Sequence, residues 1–79
     1  MLNVTLFTKP GCGLCDEVKA SLEQLQTRYP HQLLEVNITQ DDALLNQYRY
    51  TIPVVWIGEE ELAAPITAVQ LQNALQNAS

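Results

Sequence analysis

The apolar positions of the first thirty residues follow two different periods. Residues from Asn3 to Thr8 are rich in β-branched and aromatic side chains and end at a Lys-Pro-Gly loop, which predicts a buried strand. Beyond that loop, apolar residues recur at spacings of four and three, which predicts an amphipathic helix that starts at or near Cys12 and stops at Pro30. The predicted buried face consists of Leu14, Val18, Leu22, Leu25 and Tyr29.

The middle of the chain predicts a second strand followed by a short helix. Leu34, Val36 and Ile38 alternate with polar residues, so they should share one face of the strand. Thr39 is a suitable N-cap, and two aspartates follow it in a position that favours the start of a helix. We therefore expect the second helix to begin at Thr39.

The last third of the chain predicts a hairpin and a final helix. The segment PVVWIGEEELA contains an apolar run, a turn at Gly58 and a short returning strand. Thr67 is placed to cap a helix whose apolar positions are Ala68, Leu71, Leu75 and Ala78. The order is β-α-β-α-β-β-α, which predicts one α/β domain over residues 1–79, with helices covering a mixed four-stranded sheet and a parallel first β-α-β unit.

Composition and charge narrow the function. The chain has 79 residues, 47% of them hydrophobic and 16% charged, which is typical of a small globular domain. Its net charge of -5 and its four Lys and Arg residues leave no basic face for nucleic acid or an anionic membrane. The first ten residues lack the pattern of a signal peptide, so we expect the protein to be in the cytosol. We also expect it to be a monomer.

The chemistry of the sequence is concentrated in TKPGCGLCD, which holds both cysteines of the chain. A cysteine at a helix N-terminus faces unpaired backbone amides and the positive end of the helix dipole, and both favour a thiolate at Cys12. Cys15 lies one turn later, where it can attack a mixed disulfide on Cys12. The two cysteines therefore predict thiol–disulfide exchange. The direction in which the pKa of Cys12 is shifted stays open, because Asp16 and Glu17 oppose the thiolate and Lys9 favours it.

A metal site is an alternative use of the same spacing. Structural zinc takes four ligands, and His31 is the one nitrogen ligand of the conventional kind left in the chain. We expect His31 to be an exposed loop residue, so zinc within one chain is disfavoured. A metal or iron–sulfur cluster shared with a second chain or with a thiol cofactor stays open, as does a binding module with incidental cysteines.

The strand, TKPGCGLC at the start of a helix, and TIP before a hairpin together resemble the glutaredoxin branch of the thioredoxin superfamily. The resemblance implies that Cys12 is the exposed nucleophile and Cys15 the resolving thiol. It also implies that Pro53 is a cis proline and that the backbone of Ile52 pairs with an extended substrate or with glutathione. Lys9 matches a lysine that contacts a glutathione carboxylate in many glutaredoxins.

The sequence departs from that family at two places. Gly13 and Leu14 replace the usual Pro-Tyr between the cysteines. The run from Ala63 to Thr67 lacks the family's Gly-Gly followed by Cys or Ser and Asp, which holds the γ-glutamyl end of glutathione. Methyl groups there crowd a close backbone approach, although Thr67 and the first amides of the last helix can still bind a carboxylate.

The sequence thus predicts a thiol–disulfide oxidoreductase with no bound cofactor and with glutathione as a possible co-substrate. Its expected substrates are a disulfide-containing protein or a glutathione mixed disulfide, and its expected electron donor is glutathione or an enzyme of the thioredoxin reductase type. Trp56 is expected in the core or against the first helix. Tyr48 and Tyr50 are expected either at the edge of the active-site groove or packed beneath it.

Overall fold

The computed structural model describes residues 2–78, and its elements follow the predicted order with one added 3-10 turn. The strands are β1 (Leu2–Thr8), β2 (His31–Asn37), β3 (Val54–Ile57) and β4 (Glu60–Ala63). The helices are α1 (Gly13–Gln24), α2 (Asp42–Tyr48) and α3 (Ala68–Ala78), and the 3-10 turn is Ile38–Gln40. None of the helices described here is long and apolar enough to cross a membrane.

The sheet brings three connecting segments to one end. The strand order is β2-β1-β3-β4, with β1 parallel to β2 and the other two pairs antiparallel, which confirms the predicted mixed four-stranded sheet. Phe7, near the end of β1, pairs with Val54 at the start of β3, and Val54 pairs in turn with Ala63 at the end of β4. The loop to α1, the segment before β3 and the segment after β4 therefore lie at the same end of the sheet.

Each face of the sheet has its own core. Alternation along β3 places Val55 and Ile57 toward α1 and α3, and Val54 toward α2. The larger cluster contains Val4, Leu6, Val18, Leu22, Val55, Ile57, Leu71, Ala74 and Leu75. The smaller cluster contains Phe7, Ile38, Tyr48 and Val54. These two layers hold β1 in the centre of the molecule and fix the loop that follows it.

Helix α1 begins where the sequence predicts, with Cys12 as its N-cap, but it differs from the prediction at its C-terminal end and in its buried face. It ends at Gln24 instead of continuing to Pro30, because the next residues form turns and Gln26 uses its side-chain oxygen to accept the backbone N–H of His31 at 3.1 Å. Leu14 is not in the buried face, because its side chain is 58% exposed. Cys15 occupies that place instead, with 1% of its surface exposed.

The start of the second helix was also predicted at the wrong residue. Asp41, not Thr39, is the N-cap, and its Oδ1 accepts the backbone N–H groups of Ala43 at 2.9 Å and Leu44 at 3.2 Å. Thr39 lies in the preceding 3-10 turn, where the side chain of Asn37 accepts a bond from its backbone N–H at 2.9 Å. The carboxylate of Asp41 binds two amides of α2, so Asp41 defines the start of this helix. The hydroxyl of Thr39 is bonded to Asn37 instead.

The expectation that His31 lies exposed in a loop is wrong. His31 is the first residue of β2, and only 4% of its surface is exposed. Its Nδ1 lies 2.7 Å from the carbonyl oxygen of Tyr29, and its backbone pairs in register with Leu2. The parallel pairing with β1 pulls this end of the strand into the molecule, which sequence periodicity did not reveal.

Trp56 lies on the opposite face from the one predicted. Because Val55 and Ile57 face α1, alternation turns Trp56 toward the side of α2, where 43% of its surface is exposed. Its ring packs edge-on against Phe7 with centroids 4.8 Å apart, and its Nε1 donates to Glu61 at 2.7 Å. The indole therefore covers the edge of the smaller cluster.

Candidate active site

The two cysteines lie at the N-terminus of α1 and form a disulfide. Cys12 is the N-cap, with extended backbone angles φ -92 and ψ 101, and its Sγ accepts the backbone N–H of Cys15 at 3.1 Å. Their Cα atoms are 5.2 Å apart. Gly11 has φ +78, a left-handed conformation that favours glycine and turns the chain from β1 into the helix.

The two sulfurs differ in accessibility. Cys12 is half-buried, whereas Cys15 is 1% exposed and belongs to the buried face of α1. In the reduced protein, the amide of Cys15 and the first turn of the helix would both stabilise a thiolate on Cys12. Cys12 is therefore the more accessible cysteine to a molecule from outside, and Cys15 lies on the buried side of the pair.

The loop before β3 is held by backbone hydrogen bonds on both sides of Pro53. The Ile52–Pro53 peptide bond is cis, and Pro53 is fully buried. The carbonyl of Pro53 accepts the N–H of Ala64 at 3.1 Å, and the N–H of Ile52 donates to the carbonyl of Tyr48 at 3.1 Å. Within residues 2–78 nothing donates to the carbonyl of Ile52. A substrate strand would therefore find an acceptor at Ile52, while the N–H of this residue is already engaged.

Tyr48 supports this loop from below, so the packing role is the observed one. Its carbonyl accepts the backbone N–H groups of Thr51 at 3.0 Å and Ile52 at 3.1 Å, and its ring stacks on Phe7 with centroids 4.6 Å apart. Burial raises the pKa of the Tyr48 phenol, and the negative charge of Glu61 raises this pKa further. Tyr50, by contrast, is 89% exposed.

A groove of about 220 Å³ lies between α1 and the segment that follows β4. Neither cysteine lines it, but it includes Leu14, which directly precedes Cys15, and Pro53. Its lining residues are Leu14, Glu17, Val18, Ser21, Pro53, Ala64, Pro65 and Ile66. Of these, Pro53 alone was proposed as a binding residue from the sequence, whereas Leu14 was assigned to the core and Glu17 was considered for its opposition to a Cys12 thiolate. No sequence signal marked these residues as a groove, because Leu14, which directly precedes Cys15, also fits the helical spacing of a core residue.

Lys9 and Thr67 lie outside the lining of that groove. Lys9 is exposed in a separate cleft that also contains Asp16 and Asn37. Thr67 starts α3 in a capping box: its Oγ1 accepts the N–H of Gln70 at 3.1 Å, and its own N–H donates to the Gln70 side chain at 2.8 Å. The structure thus brings Cys12 and Cys15 together and gives Thr67 a structural role. Substrate binding stays a prediction for Lys9, Ile52, Pro53 and Thr67.

The part of the chain that the structure describes contains no cluster of metal-ligating side chains. Across residues 2–78, no group of three or more His, Cys, Asp or Glu residues is arranged to hold a metal ion. His31, the nitrogen ligand considered from the sequence, lies in the buried start of β2 and its Nδ1 is 2.7 Å from a backbone carbonyl. A metal on the cysteine pair would need ligands other than these residues.

Comparison with known proteins identifies the family. Residues 3–76 match the Glutaredoxin-like domain family (DUF836). Target protein XcR50 from X. campestris is 30% identical with a TM-score of 0.81, over 96% of this chain and 99% of that one. Protein Ne2328 from Nitrosomonas europaea is 25% identical with a TM-score of 0.75, over 91% and 88% of the two chains.

Oxidized thioredoxin O2 from Arabidopsis thaliana shares the fold, with a TM-score of 0.72 at 21% identity over 98% of this chain and 74% of that one. The fold is therefore thioredoxin-like, as the resemblance implied, and it carries a C-x-x-C pair in disulfide form. Because the family match spans nearly the whole sequence, the chain belongs to the glutaredoxin-like domain family.

Proposed function

We propose that this protein is a thiol–disulfide oxidoreductase in which Cys12 is the nucleophile and Cys15 the resolving thiol. The Cys12 thiolate attacks one sulfur of a substrate disulfide, and the other sulfur leaves as a thiolate. The Cys15 thiolate then attacks the Sγ of Cys12 and releases the second substrate thiolate. The substrate gains two electrons and the protein ends with its Cys12–Cys15 disulfide.

The observation that carries this proposal is the unequal exposure of two bonded sulfurs at one helix N-terminus. A half-buried Cys12 that caps α1 suits attack on an external disulfide, and a Cys15 with 1% exposure suits an internal second step. The opposite assignment would require a substrate to reach into the core. The family match supports the same chemistry at the level of a glutaredoxin-like domain.

The cycle closes when a donor reduces the Cys12–Cys15 disulfide. We propose glutathione or a reductase of the thioredoxin reductase type as that donor. We also propose that the protein works as a monomer in the cytosol. Proteins with a disulfide and glutathione mixed disulfides are the proposed substrates. The groove beside Pro53 and the free carbonyl of Ile52 supply the surface where such a substrate would lie.

Two matched cysteine variants test the assignment. The reduced wild-type protein, Cys12→Ser and Cys15→Ser are each mixed with a peptide disulfide, quenched with acid and weighed by mass spectrometry. We expect Cys15→Ser to retain one peptide as a mixed disulfide on Cys12, because the resolving thiol is missing. Cys12→Ser should retain none and reduce none. An adduct on Cys15 in Cys12→Ser, or full activity of that variant, would reverse or reject the assignment.

The donor is tested with the oxidised wild-type protein. One sample receives glutathione, and another receives thioredoxin reductase with its nicotinamide donor, and free thiols are counted in each. Reduction by glutathione would assign the protein functionally to the glutaredoxins in spite of Ala63 and Ala64. Reduction by the reductase alone would make it a small thioredoxin-like carrier, and reduction by neither would contradict the proposed cycle.

A further inference from the structure

Glu17 places an unpaired negative charge in the groove beside the cysteines. Its side chain is exposed and lines the groove together with Leu14 and Pro53. The one ion pair among residues 2–78 joins Lys19 to Glu35 at 3.4 Å, so it leaves Glu17 without a cation. A carboxylate in such a position favours an incoming positive charge and opposes an incoming carboxylate.

The chain's arginines do not supply that charge. The Arg28 guanidinium lies 5.4 Å from the ring centroid of Tyr29, and the Arg49 guanidinium lies 5.3 Å from that of Tyr50. Lys9 lies in the other cleft. The groove's charge is therefore complementary to a cation that comes from outside residues 2–78.

The rest of the groove is apolar and small. Its other lining side chains are aliphatic or proline, apart from Ser21. A volume of about 220 Å³ lies below the range of about 300–1,000 Å³ that encloses a whole small ligand. The groove is the right size for two side chains of a larger partner. An apolar side chain would pack against the aliphatic lining, and a basic side chain would pair with Glu17.

The spacing on the helix sets where the cation of the partner would lie. Glu17 follows Cys12 by five residues, which places it about 7.5 Å further along the helix axis, at about 1.5 Å per residue, and about 140° around that axis, at about 3.6 residues per turn. An extended strand covers the axial distance with about two residues at roughly 3.3 Å each, and the long side chain of Lys or Arg covers the sideways offset. A basic side chain about two positions from the reactive cysteine of a substrate would therefore reach Glu17.

We propose that this groove selects protein disulfides that carry Lys or Arg about two residues from the reacting cysteine, with Glu17 as the specificity-determining residue. The proposal rests on the thiol–disulfide exchange proposed above and names its substrate class. An apolar neighbour of the substrate cysteine packs against Leu14, Pro53 and Pro65, and the basic side chain pairs with Glu17. Glutathione, with two carboxylates and one ammonium group, gains less from this carboxylate than a basic peptide does.

The test uses three peptides of sequence Ac-Xaa-Ala-Cys-Ala-Xaa-NH2, with Lys, Gln or Glu at Xaa, each as its symmetrical disulfide dimer. Placing Xaa on both sides of the cysteine makes the result independent of strand direction. The second-order rate constant for reduction by the reduced full-length protein is measured for wild type, Glu17→Gln and Glu23→Gln. Glu23 is exposed on the same helix and outside the groove, so this control makes the same change in net charge.

The quantity to compare is the ratio of the Lys rate to the Glu rate within one protein. This ratio cancels any effect of Glu17 on the reactivity of Cys12 itself, because all three peptides meet the same thiol. An exposed charge pair contributes about 0.2–1 kcal/mol, so we expect Glu17→Gln to lower the ratio about threefold and Glu23→Gln to change it much less. The difference should shrink in high salt.

Equal losses of the ratio in Glu17→Gln and Glu23→Gln would overturn the proposal, because the preference would then reflect only the overall charge. A wild-type ratio near one would overturn it as well. In both cases the Gln peptide would still be reduced, so the proposed exchange activity would stand. Failure to reduce any of the three peptides would instead reject the activity on which the selection rests.

Discussion

Replacing Thr67 by alanine separates two roles that the sequence allowed for this residue. Thr67 was predicted to cap the last helix and also to bind a carboxylate of glutathione. In the structure, its Oγ1 accepts the N–H of Gln70 at 3.1 Å and its N–H donates to the Gln70 side chain at 2.8 Å. Both groups that would meet a carboxylate or an ammonium group are thus occupied within the helix start. Thr67→Ala should lower stability and leave thiol exchange nearly unchanged.

The size of the loss follows from the two bonds. Removing an N-cap hydroxyl costs about 0.5–2 kcal/mol, typically about 1 kcal/mol. In a domain of this size, about 1 kcal/mol lowers the Tm by roughly 4–8 °C. Thr67→Ser keeps the hydroxyl and should lose much less. Gln70→Ala removes the reciprocal bond, and because the two side chains form one box, the double variant should lose less than the sum of the single losses.

The assay combines thermal unfolding, followed by circular dichroism, with the rate of glutathione-dependent exchange at 25 °C. Wild type and the four variants are compared in the same oxidised state, so that the disulfide contributes equally. A Tm of Thr67→Ala equal to that of wild type would refute the capping argument. Exchange slowed tenfold in Thr67→Ala but not in Gln70→Ala would show instead that the hydroxyl binds the ligand.

Three further predictions concern the scaffold. Leu22→Ala, at a fully buried core position, should lower the free energy of unfolding by about 2–5 kcal/mol in urea titrations, and a loss below 1 kcal/mol would contradict its place in the core. The pKa of Tyr48 is raised from 10.0, so the native state keeps a proton that the unfolded state loses, and stability should fall as the pH rises above about 10. Urea midpoints between about pH 9 and pH 12 should show this slope in wild type and a shallower one in Tyr48→Phe. Asp41→Ala should cost about 1 kcal/mol of stability and Thr39→Ala much less, and the reverse order would restore Thr39 as the cap.

The sequence predicted those parts of the fold that periodicity controls. Alternation and helical spacing located the four strands and three helices, and Thr67 at the start of α3 followed from capping chemistry. The errors at the helix ends occurred where a single side chain bonds to the backbone of a neighbouring segment. Gln26 reaches the N–H of His31 after the end of α1, and Asp41 takes the two amides that define α2. Several polar residues could occupy each of these helix ends, and the spacing of apolar residues does not show which of them does.

The cysteine pair could be recognised from the sequence, but the groove beside it could not. Cys12 and Cys15 are three residues apart, so one helix turn brings them together without any tertiary information. The groove joins α1 to Pro65 and Ile66, which are distant in sequence and meet only because β4 pairs with β3. Leu14 fitted the spacing of a core residue. It is exposed because the segment after β4 does not cover it.

The two walls of the groove differ in how firmly they are fixed, and this difference separates chemistry from specificity. On one wall, the carbonyl of Pro53 is bonded to Ala64 and the N–H of Ile52 to Tyr48, so backbone bonds hold its shape. On the other wall, Leu14 and Glu17 are exposed side chains of a helix whose backbone is already satisfied. Under the proposed mechanism, changing those side chains should alter what docks in the groove without moving the disulfide. Substrate choice in this protein should therefore follow the exposed face of α1, while the exchange reaction depends on the helix start and on the Pro53 loop.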